Sequence, residues 1–120
     1  MNTVHIFYSR DRFRSEEHLS RFVVPTYTDD GEMIESDFMR EIDLSSAYEP
    51  MAIEREFYSQ PTELLSALCG FSYFDQFRIE RTDSTNVDAV ICVYYPNAPN
   101  RPANSSLTYL GAYRYELSGG

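Results

Sequence analysis

The chain has 120 residues and is 15% aromatic with no tryptophan; it carries a formal net charge of −9, from 19 acids against ten bases that are all arginine. A field of that sign repels nucleic acid and anionic membrane, which disfavours a nucleic-acid binder. No run of 18 apolar residues is present, so no helix is expected to span a bilayer, and the start Met1-Asn2-Thr3-Val4-His5 lacks the charged and apolar regions of a signal peptide, so the expected location is the cytoplasm.

At this length a single domain, 1–120, is expected, large enough to bury a core without staples. Residues 3–8 alternate Val4, Ile6 and Tyr8 against Thr3, His5 and Phe7, which predicts a strand covered on both faces. Ser15 is a good N-cap, Glu16 and Glu17 suit a first turn, and Leu19, Phe22 and Val23 form an apolar stripe, so a helix is predicted over 16–24, stopped by Pro25. Residues 26–31 end in Asp29-Asp30-Gly31 and read as a turn. Ser36 caps a short helix over 37–42 whose apolar face is Phe38, Met39 and Ile42. Residues 45–50 are irregular, and 51–58 alternate weakly, as an edge strand does. Pro61 is placed to start a helix with Leu64, Leu65 and Leu68 facing the core and Gly70 at its end. Ser72 and Asp75 resemble a capping box opening a further helix with Phe74 and Phe77.

Residues 87–95 carry the strongest strand signal, with Val87, Ala89, Ile91, Val93 and Tyr95 on one face and Val90, Cys92 and Tyr94 on the other. Both faces are apolar, which predicts a central position. Residues 96–106 hold three prolines and three asparagines and read as a long loop. Residues 107–115 alternate again, and antiparallel pairing with 87–95 is expected. Ser118-Gly119-Gly120 reads as a frayed tail. The fold class is therefore α+β: a small antiparallel sheet with strands near 3–8, 87–95, 107–115 and 51–58, packed with three or four short helices. Cys69 and Cys92 read as lone, reduced, buried hydrophobes rather than as a disulfide or metal pair.

The charge is concentrated. Residues 29–56 hold ten acids against Arg40 and Arg55, which is −8 of the −9. Two readings are open: a solvated face that keeps the protein soluble, or a surface that docks on a basic partner and steers its approach. The acids are interleaved with Met33, Ile34, Phe38, Met39, Ile42, Leu44, Tyr48 and Met51, and charge beside aromatic and Met anchors suits a protein interface. The candidate partner-binding residues are Asp29, Asp30, Glu32, Glu35, Asp37, Phe38, Glu41, Asp43, Tyr48, Glu49, Glu54 and Glu56, with Met39 as a further anchor if exposed.

Motifs for chemistry are absent. There is no phosphate loop, CxxC pair, HExxH or GxSxG. His5 sits mid-strand and reads as structural; His18 falls on the polar side of the first helix. Asp29, Asp30 and Glu32 lack calcium-loop spacing, and nothing singles out two carboxylates as an acid–base pair, so neither a metal nor a cofactor is expected.

Several stretches in order resemble the Immunity protein 22 family of bacterial polymorphic toxin systems. They are Arg14-Ser15-Glu16-Glu17-His18-Leu19, Tyr27-Thr28-Asp29-Asp30-Gly31-Glu32 and Ser36-Asp37-Phe38-Met39-Arg40-Glu41-Ile42, then Leu64-Leu65, Gly70-Phe71-Ser72-Tyr73 with Phe77, and Tyr109-Leu110-Gly111-Ala112-Tyr113-Arg114-Tyr115. The resemblance implies an α+β protein, not an enzyme, that binds and neutralises a cognate toxin. Toxins of such systems are frequently nucleases, which present a basic groove that an acidic inhibitor fits. The expected partner is thus a basic nuclease toxin, bound 1:1 by a protein that is monomeric when free. The alternative is a small-molecule or regulatory domain whose acids only solubilise it.

Overall fold

The two strands that are apolar on both faces lie at the centre. A computed structural model describes residues 2–44, 48–80 and 84–117. In it β1 (Asn2–Arg10) is followed by α1 (Glu16–Val23), β2 (Thr26–Tyr27), β3 (Met33–Ile34) and α2 (Asp37–Ile42). Then come β4 (Ile53–Thr62), α3 (Leu64–Leu68), β5 (Val87–Tyr94) and β6 (Thr108–Tyr115), with single 3-10 turns at Pro50–Ala52, Phe74–Gln76 and Pro102–Asn104. The main sheet is four-stranded and antiparallel, in the order β4-β5-β1-β6; β2 and β3 form a separate two-stranded hairpin.

Every residue of β5 is buried, because helices cover both sides of the sheet. On one side α1 and α2 set Leu19, Phe22, Phe38, Met39 and Ile42 against Phe7, Ala89, Ile91 and Val93. On the other, α3 and the turn after it set Leu64, Leu68, Phe71 and Phe77 against Val4, Ile6, Tyr8, Val90, Cys92 and Tyr94. Each Val, Leu, Ile, Phe or Met among them, fully buried, contributes roughly 1.5–3 kcal/mol of transfer free energy. The capping residues act as expected: Ser15 accepts from the His18 N–H and Ser36 from the Met39 N–H.

The pairing of the last strand differs from the expectation. β6 pairs with β1, and the second neighbour of β5 is β4. The long connection before β6 lets it pass over β1, where a tight hairpin would have held it beside β5. Two bulges also shift faces. Ile6 opposes Gly111 and Phe7 opposes Tyr109, leaving Leu110 as the extra residue. A strict alternation would put Tyr109, Tyr113 and Tyr115 on one face; instead Tyr109 joins the α1–α2 side, and Tyr113 and Tyr115 the α3 side. Ser9 opposes Ala89 and Arg10 opposes Val87, so Asp88 is extra and Val87 turns to the face opposite Ala89.

Two helix expectations shrink. Pro61 belongs to β4, because Thr62 returns to pair with Val87, and α3 begins only at Leu64, with no side-chain cap from Glu63. Ser72 opens no helix: its hydroxyl and its N–H go to the Glu54 carboxylate, Tyr73 is left-handed at φ 63°, and only the turn Phe74–Gln76 follows. Cys92 is buried, and burial pushes its thiol pKa up, whereas Cys69 is exposed, contrary to expectation. Residues 45–47 and the 118–120 tail lie outside the described residues.

Candidate partner-binding surface

The acids of 29–56 are adjacent in sequence but not on one face. Asp29, Asp30, Glu32 and Glu35 lie on and beside the β2–β3 hairpin, and Asp37, Glu41 and Asp43 on α2 and at its end. Glu49 precedes β4. Within β4 the side chains alternate: Arg55, opposite Ile91, points to the α1 side, and Glu54 and Glu56, opposite Cys92 and Val90, point to the α3 side.

Several of these acids are occupied inside the fold. Glu41 accepts from the Ser106 N–H and hydroxyl at 2.7 and 2.9 Å, and Ser106 in turn accepts from Arg12 at 2.8 Å, which ties α2 to the segment before β6. Glu54 accepts from Ser72 and from the Tyr94 hydroxyl, bridging β4, β5 and the turn after α3. Glu49 caps the Met51 N–H, and its backbone is held on both sides by the Asn97 amide at 2.8 and 2.9 Å. Asp43 closes α2 in the left-handed region at φ 54°, with Asn100 bonded to it, and Asp37 pairs with Arg40. The carboxylates of Asp29, Asp30, Glu32, Glu35 and Glu56 have no hydrogen-bond partner among the described residues.

Phe38 and Met39 are withdrawn as anchors. Both are 0% exposed, and the Phe38 ring packs at 5.0 Å from Phe7 and 5.7 Å from Phe22. Tyr48 is half-buried against the same side. The exposed large apolar residues among the described ones are others: Tyr27 at 60% and Ile34 at 50%, on the hairpin, Met51 and Tyr95 beyond the Ile53–Val93 pair at one end of the sheet, and Val24 and Leu117. Tyr27 and Ile34 sit on opposite faces of the hairpin, since Tyr27 opposes Met33 and Thr26 opposes Ile34. Sequence reasoning left Tyr27 out because a strand of two residues has no alternation to read.

The hairpin tip is built to hold its shape. Thr28 donates to the Glu32 carbonyl at 2.9 Å and accepts from the Gly31 N–H at 2.9 Å, and its hydroxyl accepts from the Glu32 N–H at 3.1 Å. Gly31 supplies the φ of 85° that this turn requires. The result presents Asp29, Asp30 and Glu32 on a fixed frame beside Tyr27. Burial raises the pKa of the Tyr48 hydroxyl.

The histidines are structural. His5 Nδ1 lies 2.9 Å from the Tyr109 hydroxyl, and burial lowers the imidazole pKa. His18 Nδ1 accepts from the Arg14 N–H. Among the described residues no group of three or more His, Cys, Asp or Glu is placed to hold a metal ion, and no helix is long and apolar enough to cross a membrane.

No curated protein and no solved structure matches the chain. A family model does: the one described as Immunity protein 22 matches residues 4–116, nearly the whole length. The chain therefore belongs to the Immunity protein 22 family.

Proposed function

We propose that this chain is an immunity protein that binds and neutralises a cognate toxin, with no catalytic role of its own. The hairpin and its neighbouring acids dock on a basic face of the toxin. The toxin is a nuclease, whose phosphate-binding groove supplies that face, and the complex is 1:1 with a protein that is monomeric when free. Family membership supports the neutralising role. The observation that carries the docking mode is the hairpin: among the described residues the carboxylates of Asp29, Asp30, Glu32 and Glu35 have no hydrogen-bond partner, and they lie on and beside the hydrogen-bonded turn that follows the exposed Tyr27. An exposed aromatic next to uncommitted acids can give an interface both steering and an anchor that is desolvated on binding.

Co-expression tests this. The wild-type chain is expected to rescue cells from the toxin encoded beside it. A variant carrying Asp29→Asn, Asp30→Asn, Glu32→Gln and Tyr27→Ala is expected to lose rescue while remaining folded. Full rescue by that variant would remove the hairpin from the mechanism, and no rescue by the wild type would remove the function.

A further inference from the structure

β4 is an edge strand with an open outer side. Its inner side pairs with β5 from Ile53–Val93 to Phe57–Ala89. Among the described residues, no backbone N–H or C=O of residues 54–60 bonds to any segment but β5. A groove of about 650 Å³ runs beside this strand. Ile53, Glu54, Arg55 and Glu56 line it in succession. Successive strand side chains point to opposite faces, so a groove that touches four in a row follows the backbone edge and not one face of the sheet. Glu16 of α1 walls one side and Phe71, just past α3, the other.

A free edge invites another strand, and the groove's chemistry says which kind. Among the described residues that line it, Glu16, Glu54 and Glu56 are acidic, and the one cation, Arg55, already donates to the Ser20 hydroxyl at 3.0 Å. A second copy of this chain is a poor occupant. In a two-fold pairing that keeps the helix layers on their own sides, Glu54 and Glu56 of one copy would meet the same acids of the other, and like charges across strands repel. An occupant with Lys or Arg would instead meet Glu56, which is exposed and has no hydrogen-bond partner among the described residues, beside Glu54, whose carboxylate already accepts from Ser72 and Tyr94.

We propose that an extended, Lys- or Arg-bearing segment of the toxin adds to the outer edge of β4 as a fifth strand. This rests on the functional reading above and adds the mode of contact. The test is amide hydrogen exchange, resolved residue by residue, on the chain alone and with a catalytically inactivated form of the toxin encoded beside it. Alternate amides within residues 54–58 are expected to slow by about tenfold or more in the complex, while those of β6, the opposite edge, keep their rates. A complex that forms with the β4 amides at their free rates overturns strand addition and leaves toxin binding standing. If no complex forms at micromolar concentrations, both fall. The variant Glu56→Lys, altered at an exposed site with no hydrogen-bond partner among the described residues, is expected to weaken the complex about tenfold without lowering stability; unchanged affinity would count against the charge match.

Discussion

At the scale of single residues, the structure separates anchors that hold the fold from anchors that can reach a partner. Phe38 is fully buried between Phe7 and Phe22, and Tyr27 is 60% exposed. Phe38→Ala is expected to cost about 3–5 kcal/mol in urea unfolding, through lost burial and the cavity left behind. Tyr27→Ala is expected to leave stability within about 0.5 kcal/mol and to weaken toxin binding by about 2 kcal/mol, read by calorimetric titration. Tyr58 gives a pH dependence. Burial, then Glu56, raises its hydroxyl from an ordinary 10 to about 12, and the hydroxyl donates to the Ala67 carbonyl at 2.7 Å. The folded form thus keeps a proton that the unfolded chain releases above pH 10, so this contribution is complete below pH 10 and is lost as pH rises from 10 to about 12. Tyr58→Phe is expected to be less stable at neutral pH by about 1 kcal/mol and to show a shallower alkaline loss, measured by urea unfolding across pH. Asp88 shows what composition hides: an acid at 3% exposure that accepts from Ser9 and from the Arg12 and Phe13 N–H groups, and so pins the chain between β1 and α1.

At the scale of elements, the parts legible in the sequence are those set by local periodicity and caps. β1, β5, α1 and α2 follow from alternation, from the Leu19–Phe22–Val23 stripe and from Ser15 and Ser36. What was not legible depends on partners distant in sequence. The bulges at Leu110 and Asp88 are properties of register between two strands, and neither residue marks itself locally. Pro61 looks like a helix start until Val87 is seen to reclaim Thr62, and Ser72 looks like a cap until Glu54 is seen to take its hydroxyl. Gly111, at φ 147°, is the glycine that the β6 bulge uses, and an added Cβ would sit 3.4 Å from the Tyr113 hydroxyl oxygen. Ser36 does more than its cap predicts: besides accepting from Met39 it donates to the Val23 carbonyl at 2.8 Å, joining the end of α1 to the start of α2. Ser36→Ala is expected to destabilise by about 1–2 kcal/mol in urea unfolding, more than an exposed cap, because it leaves a buried carbonyl unpaired. A loss below about 0.3 kcal/mol would show that the α1–α2 junction does not depend on it.

At the scale of the whole molecule, the net charge was legible and its deployment was not. Sequence alone placed −8 on residues 29–56, but only the fold reveals that Glu41, Glu49 and Glu54 are committed to internal bonds while the carboxylates of Asp29, Asp30, Glu32, Glu35 and Glu56 have no hydrogen-bond partner among the described residues. The segment is therefore two things at once: a set of internal ties and a display of uncommitted carboxylates on the hairpin and the β4 edge. The display accounts for steering, since exposed carboxylates each contribute only ~0–1 kcal/mol to affinity but together shape the approach of a basic partner. The most direct test is the association rate constant with the cognate toxin, measured by stopped flow from low to high salt, for the wild type and for the triple variant Asp29→Asn, Asp30→Asn, Glu32→Gln. The wild-type rate is expected to fall at least about tenfold across that range, and the variant is expected to start slower and fall less steeply. A wild-type rate that does not move with salt, or a variant with the same slope, would contradict acidic docking.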